Sequence, residues 1–240
     1  MGIYDIPYIA SLLITVFVFL VILNGFNLID GIDGLASTVG IISTVAFSVW
    51  FYNAGMYHYV VLGAGLVGGL MAFLRFNVYK GTYKIFMGDT GSLIIGLVLA
   101  IMAIEFNEAN LTAPFNIKMY SAPAVSFGIL IVPLFDTLRV FIIRLSRKRS
   151  PFKPDKNHIH HRLLSLGFTH VNATLCMAGV NLLFISFVFS FDILGIGTIM
   201  FWVLTTATIL AFVPSMVIKN KKTGYLTKTG TGLCPFATLG

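Results

Sequence analysis

Apolar residues in this chain come in long blocks that short polar segments separate. Seven charge-poor stretches stand out, and they lie roughly at residues 6–28, 34–52, 58–76, 90–106, 121–143, 172–191 and 194–218. A helix needs about twenty apolar residues to cross the hydrocarbon of a bilayer. The stretches do not alternate between apolar and polar positions, as the strands of a membrane barrel do. The pattern therefore predicts an all-α fold, a polytopic transmembrane helix bundle of about seven spans.

Composition agrees with that prediction. Hydrophobic residues make up 57% of the chain and charged residues only 10%, whereas soluble domains carry about 25% charged residues. A soluble enzyme, a transcription factor and a disordered tail are excluded. The net charge of +7 then reports membrane orientation, and no nucleic-acid partner is expected. We expect one transmembrane domain over residues 1–218, which includes a cytoplasmic histidine loop at 144–170, and a cytoplasmic tail at 219–240.

Basic residues lie almost entirely on one side of the predicted domain. With seven spans the connecting segments alternate sides, and of the 16 Lys and Arg residues only Lys118 falls on the second side. The positive-inside rule makes the basic side cytoplasmic and places the N-terminus outside. The acidic residues on the cytoplasmic side are Asp30, Asp33, Asp89, Asp136 and Asp155. Polar chemistry is therefore expected at that face.

The junction of the first two spans carries a run of polar residues. If the segment were a continuous helix, these residues would lie three or four positions apart on one face and form a polar stripe. They are Asn24, Asn27, Asp30, Asp33 and Ser37. Carboxylates and carboxamides at a membrane boundary are costly unless they meet water, a cation or a polar substrate. The alternative is a solvated turn in which Asp33 caps the second span. The complete stripe favours a binding site.

A second motif, Phe-Met-Gly-Asp-Thr-Gly-Ser at 86–92, directly precedes the fourth span. Glycines on both sides of Asp89 permit a ligand to approach the backbone closely. A carboxylate is also the hard oxygen ligand that magnesium prefers. Asp89 could equally cap the helix that follows, and the two roles are compatible.

Two further polar groups follow along the chain. Asp136 and Arg139 lie one helical turn apart near the inner end of the fifth span, and we expect them to neutralise each other. The loop beyond them contains His158, His160 and His161, which can bind anions or transfer protons near neutral pH. Zinc is the competing interpretation, but no cysteine lies nearby and the spacing matches no usual structural zinc pattern.

Three of these motifs together resemble those of a known enzyme family. They are Asn-Leu-Ile-Asp-Gly-Ile-Asp-Gly-Leu at 27–35, Phe-Met-Gly-Asp-Thr-Gly-Ser at 86–92 and Pro-Asp-Lys-Asn-His-Ile-His-His-Arg-Leu-Leu at 154–164. Their order and spacing are similar to those of the polyprenyl-phosphate N-acetylhexosamine-1-phosphate transferases. The His-Ile-His-His form resembles the undecaprenyl-phosphate GlcNAc-1-phosphate transferase branch. The resemblance covers residues 20 to about 170.

The resemblance implies a reaction and a place for it. A UDP-N-acetylhexosamine and undecaprenyl phosphate would give undecaprenyl-diphospho-N-acetylhexosamine and UMP, with Mg²⁺ as cofactor and Mn²⁺ as an alternative metal. The enzyme would be a multi-pass protein of the bacterial cytoplasmic membrane whose active site faces the cytoplasm. The reaction would start the synthesis of a cell-envelope polymer such as lipopolysaccharide or teichoic acid. A homodimer is one further expectation.

The resemblance also implies roles for particular residues. Catalytic roles fall to Asp30, Asp33, Asp89, His160 and His161, with Asp89 as the metal ligand. Substrate-binding roles fall to Asn27, His158, Arg162 and Arg144. Arg144 also opens the basic run at 144–149, and such runs usually report orientation and attraction to lipids.

The chain departs from the family in one respect. Members carry a pair of adjacent aspartates upstream of the first motif, and this sequence contains no Asp-Asp pair. We therefore expect a truncated or partial member, and a non-catalytic membrane fragment of the family is one alternative. A cation-coupled transporter is a second alternative, but its ionisable groups should lie at the bilayer midplane rather than at helix ends.

Overall fold

The computed structural model describes residues 7–79, 81–146 and 159–229, except for the side chains of residues 160, 161 and 215–229. The chain is helical there, and these ranges contain no strand. The helices are α1 (Tyr8–Ile29), α2 (Leu35–Asn53), α3 (Tyr57–Asn77), α4 (Gly88–Thr112), α5 (Ala122–Ile129), α6 (Ile131–Ser146), α7 (Ile159–Ser165), α8 (His170–Ser190) and α9 (Ile196–Thr229). A 3₁₀ turn at Asp192–Leu194 precedes α9.

The helices match the predicted membrane bundle. Within the described ranges, six helices are long and apolar enough to cross a membrane, and they are α1, α2, α3, α4, α8 and the part of α9 up to Pro214. The pair α5 and α6 makes a seventh span if it is counted as one bent element. The prediction of an all-α bundle with about seven spans is confirmed.

The fifth predicted span, 121–143, is a bent pair of helices rather than one straight helix, which the apolar pattern alone does not reveal. α5 ends at Ile129, α6 begins at Ile131, and the two are bent by 84°. Pro133 explains the break, because proline lacks an N–H and its ring clashes with the carbonyl four residues earlier. Gly25 of α1 packs against this point, since a Cβ added there would lie 3.3 Å from the Pro133 carbonyl oxygen. The break turns α6 away from the axis of α5.

The helix that contains the last predicted span is longer than that span. α9 continues past residue 218 to Thr229, so the first half of the predicted tail is helical. Residues 230–240 lie outside the described residues. At the Phe-Met-Gly-Asp-Thr-Gly-Ser motif, residues 86–92, α4 begins at Gly88 rather than at residue 90. Asp89 therefore belongs to the first turn of α4.

Close packing of α1 and α4 brings two sequence motifs together. A Cβ on Gly96 of α4 would lie 2.7 Å from the Cα of Leu23 in α1, so the two helices touch backbone to backbone. Such an approach requires glycine. One turn beyond Leu23 lies Asn27, and one turn before Gly96 lies Ser92, so the first two motifs meet where these helices end.

The loops and helix termini lie at two opposite ends of the bundle, and polar contacts join the segments within each end. One end, which we call the site side, comprises the α1–α2 turn, the α3–α4 loop and the N-termini of α7 and α8. The opposite side comprises the α2–α3 turn, the α4–α5 loop and the α8–α9 turn. Hydrogen bonds join loops within each side, as between Gly34 and Asn77 on the first and between Tyr120 and Asp192 on the second.

Candidate active site

Asp89 is held by the last turn of α1. The Nδ2 of Asn27 donates to Asp89 Oδ1 at 3.1 Å and to the hydroxyl of Ser92 at 3.1 Å. Ser92 is fully buried and its hydroxyl lies within hydrogen-bond distance of the Gly88 carbonyl, 3.2 Å away. The Asp89 side chain is exposed, and its helix has Met87 at the N-cap with no side-chain cap. Asp89 therefore does not cap α4, and an amide fixes its carboxylate at the surface.

Gly88 leaves space next to this carboxylate. Its φ of +65° is in the left-handed region that glycine adopts without penalty. Nothing lies within 4 Å of the position that a Cβ would occupy. A ligand can therefore approach the backbone beside Asp89.

Asp33 is contacted by two cationic or ionisable side chains from distant segments. Lys84 Nζ lies 2.6 Å from Asp33 Oδ2, and His170 Nδ1 lies 3.2 Å from the same oxygen. The backbone N–H of Asp33 also points to His170 Nδ1, at 3.4 Å. These two contacts of the imidazole are alternatives, because Nδ1 donates to the carboxylate when protonated and accepts from the N–H when it is not. Asp33 thus joins the α3–α4 loop to the start of α8.

The turn that carries Asp30 and Asp33 is fixed by the backbone around it. Gly34 has a φ of +80° and is the N-cap of α2, and its N–H donates to Asn77 Oδ1 at 2.6 Å. Asn77 donates in turn to the Ile85 carbonyl, and Thr174 of α8 donates to the Asp33 carbonyl. The interpretation of Asp33 as a helix cap is therefore wrong.

The predicted continuous helical stripe is also absent from residues 24–37. α1 ends at Ile29, and the turn at 30–34 interrupts the helix before α2 begins at Leu35. Asn24 bonds to its own helix, through the Leu20 carbonyl. Only the part of the stripe from Asn27 to Asp33 faces the site.

The pKa of Asp30 is raised by its burial and by the two neighbouring carboxylates. Asp30 lies just beyond the end of α1, and burial, followed by the charges of Asp89 and Asp33, raises its pKa from 3.8 to about 6. Crowding of like charges has this effect because each carboxylate disfavours ionisation of the next. The three carboxylates therefore form a strongly negative cluster, which a cation would stabilise.

The donor set fits a magnesium ion that shares its ligands with a substrate. Within the described residues, no group of three or more His, Cys, Asp and Glu side chains surrounds one point. Magnesium, however, usually binds one or two carboxylates, water and substrate phosphates rather than a complete protein cage. Asp89, beside open space, with Asp30 and Asp33 adding negative charge, matches such a partial site.

Exposed aromatic residues border the cluster in the α3–α4 loop. Tyr83 is 74% exposed and Phe86 is 76% exposed. Lys84 Nζ lies 5.2 Å from the centre of the Phe86 ring, while it also pairs with Asp33. Lys84 therefore connects an exposed aromatic face to the carboxylate cluster.

The histidine loop is described only in part. His158 lies outside the described residues, and the side chains of His160 and His161 do as well, although their backbone forms the first turn of α7. The Ile159 N–H donates to Asp136 Oδ1 at 3.1 Å. Arg162 of α7 is half-buried, and Arg144 is buried near the end of α6.

Asp136 and Arg139 form the expected pair. Arg139 Nη2 lies 3.2 Å from Asp136 Oδ1, and the Asp136 side chain is fully buried. The sequence prediction that these two neutralise each other is confirmed.

Sequence reasoning missed three residues that shape the site, Lys84, His170 and Ser92. The only feature of the sequence that pointed to Lys84 and His170 was the alternation of the spans, which placed the α3–α4 loop and the start of α8 on the same side as Asp33. It could not show that these segments converge on one carboxylate oxygen. Ser92 lies in the second motif, but only the register of α1 against α4 reveals its contact with Asn27.

Two apolar grooves adjoin the broken span. One has a volume of about 660 Å³ and lies between α1, α4, α5 and α6, with Val18, Phe127 and Phe141 in its wall. The other has a volume of about 450 Å³ and is lined by residues of α6, α7, α8 and α9, including Phe135, Leu163 and Ala211. Both are suited to long apolar groups.

The known proteins to which this chain is similar are of one kind. The sequence model of glycosyl transferase family 4 matches residues 1–107. A decaprenyl-phosphate N-acetylglucosaminephosphotransferase of Mycolicibacterium smegmatis is 34% identical over 195 residues, covering 72% of this chain and 45% of the relative. The enzyme of that name in Mycobacterium tuberculosis (strain H37Rv) is 35% identical over 185 residues, covering 69% of this chain and 44% of the relative.

The similarity extends to a relative of lower identity. An undecaprenyl-phosphate alpha-N-acetylglucosaminyl 1-phosphate transferase of Escherichia coli (strain K12) is 30% identical over 158 residues, covering 65% of this chain and 41% of the relative. The chain thus spans less than half the length of these relatives. Residues 1–107 thus match glycosyl transferase family 4, and 65–72% of the chain is similar to these polyprenyl-phosphate N-acetylglucosamine-1-phosphate transferases.

Proposed function

We propose that this protein transfers N-acetylhexosamine 1-phosphate from a UDP-sugar to a polyprenyl phosphate. An oxygen of the lipid phosphate attacks the sugar-bearing phosphorus of the donor, a new P–O–P bond forms, and UMP leaves. The observation that carries the proposal is the cluster of Asp30, Asp33 and Asp89 at the end of an apolar bundle, where burial and then the charges of Asp89 and Asp33 raise the pKa of Asp30 to about 6. The names of the relatives, which act on decaprenyl or undecaprenyl phosphate, support the acceptor.

The chemistry needs positioning and charge neutralisation more than proton transfer. The lipid phosphate is already ionised, and the reaction brings several negative phosphate oxygens together. Mg²⁺, or Mn²⁺ in its place, would supply the positive charge there and would be held by Asp89. Asn27 keeps the Asp89 carboxylate in place. Lys84 balances the charge of Asp33, which limits the repulsion that an incoming diphosphate meets.

His158, His160, His161 and Arg162 are assigned to phosphate binding in this proposal. UMP leaves as a stable phosphate without general-acid help, so the histidines need to donate hydrogen bonds rather than protons. α7 carries three of these four residues and belongs to the site side, because its first N–H is bonded to Asp136 of α6. Arg144, buried in α6, is assigned to the same phosphate-binding set.

The lipid acceptor would lie in the membrane beside α6. The two apolar grooves flank this helix, and a polyprenyl chain placed in either would bring its phosphate toward the site side. The uneven distribution of Lys and Arg supports a cytoplasmic position for that side. The product would be the first lipid-linked intermediate of a cell-envelope polysaccharide in the bacterial inner membrane.

The test measures UMP release by the purified protein in detergent or nanodiscs with UDP-GlcNAc, undecaprenyl phosphate and Mg²⁺. We expect release by the wild type and none by Asp89→Asn. Asp192→Asn is the matched control, because this aspartate lies on the opposite side of the bundle. Failure of a folded wild-type chain to release UMP from UDP-GlcNAc or UDP-GalNAc would contradict the proposal and favour a non-catalytic member of the family.

A further inference from the structure

The buried carboxylate of Asp136 connects the broken span to the histidine helix. Its Oδ1 accepts from Arg139 Nη2 at 3.2 Å within α6 and from the Ile159 N–H at 3.1 Å, which is the first residue of α7. The second bond crosses a sequence separation of 23 residues. One oxygen therefore joins α6 to the helix whose first turn contains His160 and His161.

A buried carboxylate of this kind is energetically unusual. Asp136 is fully buried and Arg139 is 11% exposed, so both charges have lost most of their water. An ion pair in such a place gives little or no net stability compared with apolar residues of the same size. The pair is better explained by the geometry that it imposes, because a charged acceptor binds a backbone N–H more strongly and more directionally than a neutral one.

α7 is also held by apolar contacts, which set how deep the helix lies but not its rotation or its position along its axis. Leu163, one turn after Ile159, is buried and lines the groove between α6, α8 and α9. Apolar contacts are not directional, so they permit rotation and sliding of a helix of seven residues. The bond from Ile159 to Asp136 removes that freedom at the N-terminal end of α7.

We propose that Asp136 is a positioning residue, whose carboxylate fixes the start of α7 and thereby the placement of His160 and His161 at the phosphate site. Arg139 pairs with this carboxylate and orients it. The 84° break between α5 and α6 is part of the same arrangement, because α6 rather than a straight continuation of α5 carries Asp136. The proposal rests on the proposed function only for its effect on turnover.

The first experiment removes the N–H and leaves the ion pair in place. Ile159→Pro deletes the donor, and proline is well tolerated at the first position of a helix. Ile159→Ala is the control, because it loses the same apolar contacts but keeps the N–H. Amide hydrogen exchange is measured over residues 163–168, where the N–H groups of Leu166 and Phe168 are bonded within and just after α7.

We expect exchange in Ile159→Pro to be roughly tenfold faster than in Ile159→Ala, the size of effect that loss of one hydrogen bond to a charged group gives. Equal exchange in the two variants would overturn the proposal. Asp136→Asn weakens the same bond and also removes the charge opposite Arg139, so its effect on exchange in α7 should be smaller on the Ile159→Pro background, where the bond is already absent, than on the Ile159→Ala background. Equal effects of Asp136→Asn on the two backgrounds would contradict a shared bond.

The second experiment separates positioning from general stability. Asp192→Asn removes a comparable buried acceptor on the opposite side and should leave exchange in α7 unchanged. In the UMP-release assay, Ile159→Pro should lower kcat at least roughly tenfold relative to Ile159→Ala, with the KM for the UDP-sugar changed less than about twofold. A change in KM alone would sink the positioning role. A wild type that releases no UMP would overturn the proposed function, while the exchange comparison would still decide whether Asp136 holds α7.

Discussion

The two ends of the bundle use carboxylates in opposite ways. On the opposite side, Asp192 accepts from the N–H groups of Tyr120 and Ser121, both at 2.7 Å, and each oxygen has its own donor. On the site side, Asp33 takes both of its side-chain partners on Oδ2. Asp30 accepts no hydrogen bond from the residues that the structure describes. A carboxylate satisfied by backbone donors stabilises a turn, whereas under the proposed function the crowded carboxylates hold a cation.

On the opposite side, the side chains of Asn110 and Trp50 also form hydrogen bonds with the backbone of a loop. Asn110 exchanges two hydrogen bonds of 2.7 Å with the backbone of Met119. Trp50 donates its indole N–H to the Ile117 carbonyl at 3.0 Å. These side chains replace backbone partners that the loop at 113–121 lacks, which is the usual use of buried polar groups.

The largest expected effect is the loss of turnover in Asp89→Asn. The asparagine keeps the size of the side chain but removes the charge that would hold the metal, so we expect a decrease of at least about 10²–10³-fold. UMP release measures it. Thermal unfolding should be unchanged within error, because the Asp89 side chain is exposed. A variant that unfolds instead would assign Asp89 to structure, like Asp192.

Asp192→Asn should lower stability and leave turnover unchanged, the reverse of Asp89→Asn. Two charge-assisted bonds to backbone N–H groups are weakened in a site that is 7% exposed, so the free energy of unfolding should fall by about 2–3 kcal/mol. Denaturant titration in detergent measures this change. Turnover per folded molecule should be that of the wild type. Loss of turnover without loss of stability would break the comparison between the two sides.

Asp30→Asn should stabilise the fold at pH 7.5 while it lowers turnover. The pKa of Asp30 is raised to about 6 in the folded protein from 3.8. The folded state therefore binds its proton more tightly than the unfolded state, and ionisation of Asp30 destabilises the fold above pH 6. Because the group is only half-buried, we expect a gain on the order of 1 kcal/mol after solvent screening. The gain should disappear as the pH falls below about 4, and a gain that persists there would have another cause.

Lys84→Ala has the smallest expected effect. Lys84 is one-third exposed and Asp33 one-fifth, so the pair contributes less than about 1 kcal/mol to stability. Its loss leaves Asp33 less neutralised near the incoming diphosphate, and the KM for the UDP-sugar should rise roughly fivefold. Lys84→Arg is the control and should stay close to the wild type. Identical KM values for the alanine and arginine variants would remove Lys84 from the site.

The sequence was sufficient for the helices and for the side of the bundle that carries the carboxylates. Blocks of apolar residues determine where helices cross a membrane, because each must supply its own backbone hydrogen bonds. The break at Leu130 was missed, since Pro133 is only one of several prolines in apolar segments and membrane helices often tolerate proline. The contacts of Asp33 with Lys84 and His170 were missed as well. They depend on how helices distant in the sequence pack, and periodicity within one segment carries no information about that.

A measurement of metal binding decides whether the site-side carboxylates hold a divalent cation. Mn²⁺ binding can be followed by electron paramagnetic resonance with the wild type, Asp89→Asn and Asp192→Asn in the same detergent, with and without UDP-GlcNAc. We expect a bound Mn²⁺ in the wild type and in Asp192→Asn, tighter with the nucleotide sugar, and its loss in Asp89→Asn. Equal Mn²⁺ binding by the wild type and Asp89→Asn, or no binding by a folded wild type with UDP-GlcNAc present, would contradict it.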